Sequence, residues 1–431
     1  MSNSIRVHSF GWGVMLFVLL IFAPSSSRAQ FDDLFFSGFV SQGYFNSTGN
    51  DYLISDSKKG TSEFSEAALV CYANPADRLR IGLQLFARDF GKIGNNNVIL
   101  DWAYGDYRWR DELGFRAGKI RVPYGLYNQV RDVDIVRDQI LLPQSIYDER
   151  IRDFITAFEG ADLYGSFSLG KKGVLDYEAW AGAFNVPDVT RGFWDGFWNQ
   201  AGEELAPFLA EQNSTPEVVV NVQFRNVAEP DMVFPWAYGG SLIWETPLEG
   251  LRFGSSFFRT ELDGTAKLVF DVAVLPEDEE ERPEFFRGDI LADVDLDVGP
   301  MVTVSAEYML ERWTFASEYN YLEFDDGISD GWYGLTSYQL TDKAAVSAYY
   351  AAQYPDRSNR DGKNLPLPAS AWQRDLSLGL RYDLTPNWRV KYEHHFVDGL
   401  AQVDGAEFST VNPDDFEERW SYFALKTSFH F

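Results

Sequence analysis

Apolar and polar residues alternate along most of this chain with a period of two. Residues 78 to 90, RLRIGLQLFARDF, set Leu79, Ile81, Leu83 and Leu85 on one parity and Arg78, Arg80, Gln84 and Arg88 on the other. Successive side chains of a β-strand point to opposite faces, so this spacing predicts a strand with one apolar and one polar face. A slip of one residue would carry arginine to the apolar side, which specifies the register. The final stretch, WSYFALKTSFHF, repeats the pattern. Phe423, Leu425, Thr427, Phe429 and Phe431 share one parity, and Tyr422, Ala424, Lys426, Ser428 and His430 share the other. Chain ends are usually frayed and polar. This one predicts a strand clamped into a sheet, with one face in an apolar medium.

The same pattern, punctuated by turn residues, predicts a meander. LFFSGFVSQGYFN (34 to 46) opens it, and a segment near 63 to 73 runs to the turn NPAD. ILDWAYGDYRW and LGFRAGK meet around RDE, ITAFEGADLYGSFSLG and VLDYEAWAGAF at KKG, and WAYGGSLIWE and LRFGSSFFRT at TPLEG. VTVSAEYML and WTFASEYNYLEF flank ER, WYGLTSYQL and AAVSAYYAAQY flank TDK, and WQRDLSLGLRYDL and WRVKYEHHFVD flank TPN. With a terminal strand at about 416 to 431, the expected number of strands is sixteen. Long connections at 120 to 153, 185 to 235, 262 to 299, 355 to 371 and 399 to 415 interleave with the tight turns. An even strand number, short turns on one rim and long loops on the other are the pattern of bacterial outer-membrane barrels, whose termini lie on the periplasmic side. The predicted fold class is all-β: a transmembrane antiparallel up-and-down β-barrel in the outer membrane of a Gram-negative bacterium.

The beginning of the chain agrees. Residues 1 to 29 carry a basic start, the apolar run FGWGVMLFVLLIFA and the small residues Ser27 and Ala29, as a cleaved secretory signal does. The run from Phe10 to Ala23 is short for a membrane helix, which needs ~20 residues. Cys71 is the one cysteine, so no internal disulfide forms and stability rests on packing and sheet closure. Aromatic residues make up 16% of a chain whose mean hydropathy is nonetheless low. A barrel reconciles the two, because only alternate residues face lipid, aromatic girdles mark both interfaces and the lumen is polar. Removing a signal that carries Arg6 and Arg28 and no acid takes the formal charge from −28 to −30, which excludes nucleic acid as a natural partner.

Residues 118 to 153, GKIRVPYGLYNQVRDVDIVRDQILLPQSIYDERIRD, place a strand ending in Gly-Lys before a Pro-Gly turn, an Arg-Asp pair and an apolar segment. This layout resembles porins related to the phosphate-selective porin family. The resemblance implies a sixteen-stranded barrel, commonly a homotrimer, with loops folded inward to narrow the pore. The arginine and lysine rows of the phosphate-selective members have no counterpart in so acidic a chain, so anion selectivity is not carried over. Independently, Ile135, Val136, Ile140, Leu141, Leu142 and Ile146 are apolar surface that a solvated loop would not carry. Two placements follow. In one, the loop packs on the inside of the wall and shows Arg121, Arg131, Asp132, Asp134, Arg137 and Asp138 to the pore. In the other, it lies across the barrel top or at a subunit contact.

Parity also assigns wall charges. Opposite the apolar rows lie Arg78, Arg80, Arg88, Arg116, Asp176, Glu178, Glu307, Glu318, Asp375, Arg381, Arg389, Lys391, Glu393 and His395. Turned to lipid, an Arg or Lys at the bilayer midplane costs ~2–4 kcal/mol, so inward is the expectation. Further along, Ala292, Val294, Leu296, Val298, Val302, Val304, Ala306 and Tyr308 share one parity and predict a strand of about nineteen residues, longer than the ~9–11 a crossing needs. With Leu268, Phe270, Val272 and Val274 as its partner, it would form a hairpin that stands above the membrane, tipped by EDEEERPE at 277 to 284. Asp293, Asp295 and Asp297 are then expected inward at the extracellular mouth, where they would enrich cations. Spaced ~7 Å apart along a strand, they are too far apart for all three to ligate one ion.

No nucleophile elbow and no phosphate-cradling glycine loop occurs. After the signal only His394, His395 and His430 remain, and a Ser-His-acid site would have to use His395. The pattern implies no enzyme, cofactor or metal. It implies a water-filled channel for passive diffusion of small hydrophilic solutes or ions, in contact with outer-membrane lipid and lipopolysaccharide. A structural or adhesive barrel closed by its own loops shares every strand feature, and conductance separates the two.

Overall fold

The computed structural model describes residues 34–91, 93–185, 191–215, 218–276, 282–324, 327–363, 365–403 and 412–431. The expected signal segment and most of the acidic hairpin tip lie outside the described residues. The strands are β1 (Leu34–Ser47), β2 (Ser65–Ala76), β3 (Leu79–Asp89), β4 (Val98–Arg110), β5 (Leu113–Arg121), β6 (Ala157–Ser168), β7 (Val174–Phe184) and β8 (Val218–Glu245). They continue as β9 (Leu251–Pro276), β10 (Glu284–Leu310), β11 (Trp313–Phe324), β12 (Gly327–Thr341), β13 (Ala344–Tyr354), β14 (Gln373–Thr385), β15 (Trp388–Gly399) and β16 (Arg419–His430). Each pairs antiparallel with its sequence neighbours, and β1 pairs with β16 to close the barrel. A closed sheet has no free edge inside the membrane, where unpaired backbone groups would cost several kcal/mol.

Closure is made by the residues that alternate at the end of the chain. Phe39 faces His430 across the seam, and the Phe431 amide and carbonyl both bond Gly38, each at 3.0 Å. Leu425 and Phe429 are exposed on the outer wall, while Tyr422, Ala424, Lys426 and Ser428 are buried inside. The parity of the terminal strand is therefore as expected.

Strands β8, β9 and β10 have 28, 26 and 27 residues, against 9 to 15 in the other strands. In sequence, much of β8 is hidden within the connection at 185 to 235. Its ladder slips at Phe224/Asn226, Ala228/Asp231 and Val233/Ala237, and Pro230 and Pro235 cannot donate to it, so no period-two run survives. The same connection contains a helix, Arg191–Asn213. Trp198, Leu205 and Leu209 recur at helical spacing and pack on Met232, Leu268 and Phe270 of the long strands. Gly202 allows the approach, since a Cβ there would lie 2.2 Å from the Phe224 ring.

β10 corrects the expectation of one continuous face. Its ladder shifts between Val298 and Met301, where it advances one residue more than β9. An extra residue reverses the faces. Val302 and Val304 face outward, with Thr303, Ser305 and Glu307 buried inside, whereas Ala292, Val294, Leu296 and Val298 pack inward on the cluster around Trp198. Asp293, Asp295 and Asp297 consequently lie on the outer face and do not form the inward row expected of them.

Candidate pore constriction

The connection from Val122 to Thr156 is tied at its base by the Val122 amide on the Thr156 carbonyl, at 2.9 Å. Between these ends it reaches wall strands round the barrel. The Gly125 amide donates to Ser256 Oγ of β9 at 3.1 Å, and the Leu126 amide to Glu318 of β11 at 2.7 Å. The Tyr127 hydroxyl bonds Glu307 of β10 at 3.1 Å, and Ser145 the Trp332 carbonyl of β12 at 3.2 Å. On β15, three alternate residues hold it. Arg389 donates to the Ile135 carbonyl at 2.8 Å, Lys391 to Asp134 Oδ1 at 2.9 Å and the Gln139 carbonyl at 3.1 Å, and Glu393 accepts the Ile140 and Leu141 amides at 2.8 and 3.1 Å. A non-helical backbone buried this deeply needs partners for its amides and carbonyls, and the polar face of the wall supplies them. Its apolar side, with Val122, Tyr124, Leu142, Ile146 and Tyr147, enters the main buried cluster.

The loop charges are paired rather than presented. Arg121 Nη2 lies 2.9 Å from Asp132 and 3.3 Å from Asp101. Arg152 Nε donates to Asp132 at 2.9 Å, Arg131 pairs with Glu149 at 2.8 Å, and Arg88 of β3 with Glu149 at 2.9 Å and Asp153 at 3.0 Å. Asp138 accepts from Arg381 at 2.5 Å and from Ser337, and Arg137 is half-buried. Arg131, Asp132 and Asp134 are only 2%, 5% and 1% exposed, which corrects the expectation that they face passing solutes. Burial by itself would raise the carboxyl pKa of Asp132 and Asp134. Facing cations outweigh it, Arg152 and Arg121 for Asp132 and Lys391 and Lys426 for Asp134, and hold both below the usual range.

Among the wall residues, Arg88, Glu307, Glu318, Asp375, Arg389, Lys391, Glu393 and His395 are buried, and Arg381 is held against the loop by Asp138. Across the lumen, Arg116, Asp176 and Glu178 keep partial access to solvent, the Arg116 and Glu178 side chains at 14% and 11%. Arg116 sits 3.0 Å from Asp162 and 2.8 Å from Glu178, over the Tyr164 ring, and Gln129 of the loop donates to Glu178 at 3.2 Å. Arg80 is exposed over Tyr72. Arg78 is not a wall residue: it occupies the β2–β3 turn with φ +66° and bonds the Trp109 carbonyl.

Sequence reasoning missed Glu66, Asp101, Glu149, Arg152, Asp153, Asp162 and Lys426. The inward parity of Glu66, Asp162 and Lys426 on their strands was a usable signal, whereas the irregular loop around Glu149 to Asp153 offered none. His395 lies between Asp375, at 2.9 Å, and Glu393, at 3.3 Å, with Ser377 Oγ at 3.4 Å and Tyr422 stacked at 4.0 Å. This Ser-His-acid set is fully buried, and its Nε2 is shared with the carboxylate that anchors Ile140 and Leu141. Its geometry is that of a support for the loop. On the outer face, Glu261, Asp263 and Asp295 bring carboxylate oxygens within 4.8 Å of one another, a grouping that crosses β9 and β10.

The chain is similar in fold to an anion-selective porin from Comamonas acidovorans, with a TM-score of 0.51 and 11% identity over 93% of this chain and 99% of that one. The fold is a sixteen-stranded outer-membrane barrel. The outer membrane channel DcaP of Acinetobacter baumannii aligns at a TM-score of 0.49 and 10% identity, over 93% of this chain and 97% of its own. No protein-family model matches the chain, and no match was found among curated proteins.

Proposed function

We propose that this protein is a porin for small hydrophilic solutes or ions, in which residues 120 to 153 narrow the lumen and leave a passage along one sector of the wall. The observation that carries the reading is the one-sided packing of the loop. Inward residues of β10 to β16 at its level are buried beneath it, whereas Tyr104, Asp106, Arg116, Tyr164, Asp176, Glu178 and Arg252, on β4 to β9, keep access to solvent. Carboxylates outnumber guanidinium groups in that sector, which supports a mild preference for cations that fades as salt shortens the screening length. A homotrimer with a hairpin at 262 to 299 raised above the membrane completes the reading.

Reconstitution in a planar bilayer tests it. The intact protein conducts with a reversal potential on the cation side in a dilute salt gradient, and deletion of Val130 to Leu142 raises single-channel conductance in a barrel that still assembles. Absence of conductance in both proteins would favour a barrel closed by its own loops, and anion preference would show that ions meet the wall arginines instead.

A further inference from the structure

With its charges buried, the lumen loop turns an apolar row to the water inside the barrel. Between Tyr127 and Val136, successive backbone bonds join residues three apart: the Val130 amide to the Tyr127 carbonyl at 2.9 Å, Val133 to Val130 at 2.9 Å and Val136 to Val133 at 3.1 Å. This spacing sets side chains i and i+3 one above another. Asn128, Arg131 and Asp134 form one such row and are buried, bonded to the Val122 carbonyl, to Glu149 and to Lys391. Val130, Val133 and Val136 form another. Val130 and Val136 are 38% and 58% exposed, Val133 is half-buried, and Ile135 beside them is 41% exposed. The usual amphipathic arrangement is thus inverted, with polar side chains inside and valines in water.

The row spans the lumen. At one end Tyr127 bonds Glu307 of β10 and Gln129 bonds Glu178 of β7, and at the other Arg389 of β15 holds the Ile135 carbonyl. Contiguous apolar exposure, unlike scattered residues, marks a contact surface, and lipid does not reach a surface inside a closed sheet. We propose, on the reading that solutes pass beside the loop, that Val130, Val133, Ile135 and Val136 determine specificity there and favour solutes bearing a short aliphatic chain over hydroxylated ones of the same charge and length. A solute that lays methylene groups on the valines removes apolar surface of both from water, and the gain grows with the area covered. A hydroxyl in the same place keeps its own hydration and gains nothing. The row selects the chain of a solute. Its head meets the opposite wall, where Gln129, next to Val130, touches Glu178.

n-Butylammonium and 3-hydroxypropylammonium provide the test, since they match in charge and length and differ in a terminal methyl against a hydroxyl. Reversal potentials of the reconstituted barrel, with potassium on one side and either ion on the other, give their permeabilities. The expected result is that butylammonium is about two- to fourfold more permeant, and that the ratio falls to about one in the Val130→Ser, Val136→Ser double variant. Both side chains are exposed, so the denaturant midpoint of the variant should not move. A conducting barrel in which the hydroxylated ion is equally or more permeant overturns the assigned solute class and leaves the pore reading standing. A ratio that survives the double variant overturns the role of the row, and a lower midpoint with an unchanged ratio does so by showing a packing surface. Absence of conductance removes the passage itself and the row's role with it.

Discussion

The inner walls of β14 to β16 and of β5 to β7 are built from the same kinds of residue and behave differently. Lys391, Glu393 and Lys426 on one side resemble Arg116, Asp162 and Glu178 on the other in charge and parity. The first group is buried under the loop: Lys391 and Glu393 spend hydrogen bonds on the loop backbone, and Lys426 pairs with Glu66 and faces Asp134. In the second, Arg116 and Glu178 meet solvent. A lumen charge therefore has two possible occupations, holding a loop or lining a passage, and cover decides between them. Where the charge is buried, removing one partner strands the other in a poorly solvated site and costs far more than the pair's net contribution.

Lys391→Met should show the largest effect. It leaves Asp134 with Lys426 at 3.5 Å as its nearest cation and should cost about 3–5 kcal/mol, read as an earlier denaturant midpoint for unfolding of the barrel. A loss no larger than that of Glu178→Gln would erase the difference between the two walls. Acid is the second test. Asp132, Asp134, Glu149 and Asp153 are buried, which favours their protonation, but facing arginines and lysines overcome this and depress all four pKa values. Depressed carboxyls stabilise the folded loop above their ordinary pKa, 3.8 for aspartate, and lose that contribution as pH falls towards the folded values. Conductance should hold steady from neutral pH to about pH 4 and change only below it. A transition nearer neutrality would place control on groups other than these four carboxyls.

Glu178→Gln should cost less than Lys391→Met, about 1 kcal/mol, because Arg116 keeps Asp162 at 3.0 Å, and it should move the reversal potential towards neutrality. The smallest effect is expected from Asp293→Asn, Asp295→Asn and Asp297→Asn together. These residues face away from the lumen, and Asp297 forms an exposed pair with Arg259, so ion preference should be unchanged and stability should shift by about 1 kcal/mol or less. A marked loss of cation preference in this variant would restore them to the path of the ions.

Strand faces, the number of strands and the closing role of the last strand were all legible in the sequence, because side-chain direction in a strand is a local property with period two. Leu79 to Leu85 and Phe423 to Phe431 needed no knowledge of the rest of the chain. Tertiary structure decided what local alternation cannot carry. The shift between Val298 and Met301 turned three aspartates outward, and ladder slips hid half of β8. The loop found its anchors at great separation, as where Glu393 receives the amide of Ile140 from 253 residues away. Whether a charge is buried depends on what lies over it, and that is fixed only when distant segments pack together.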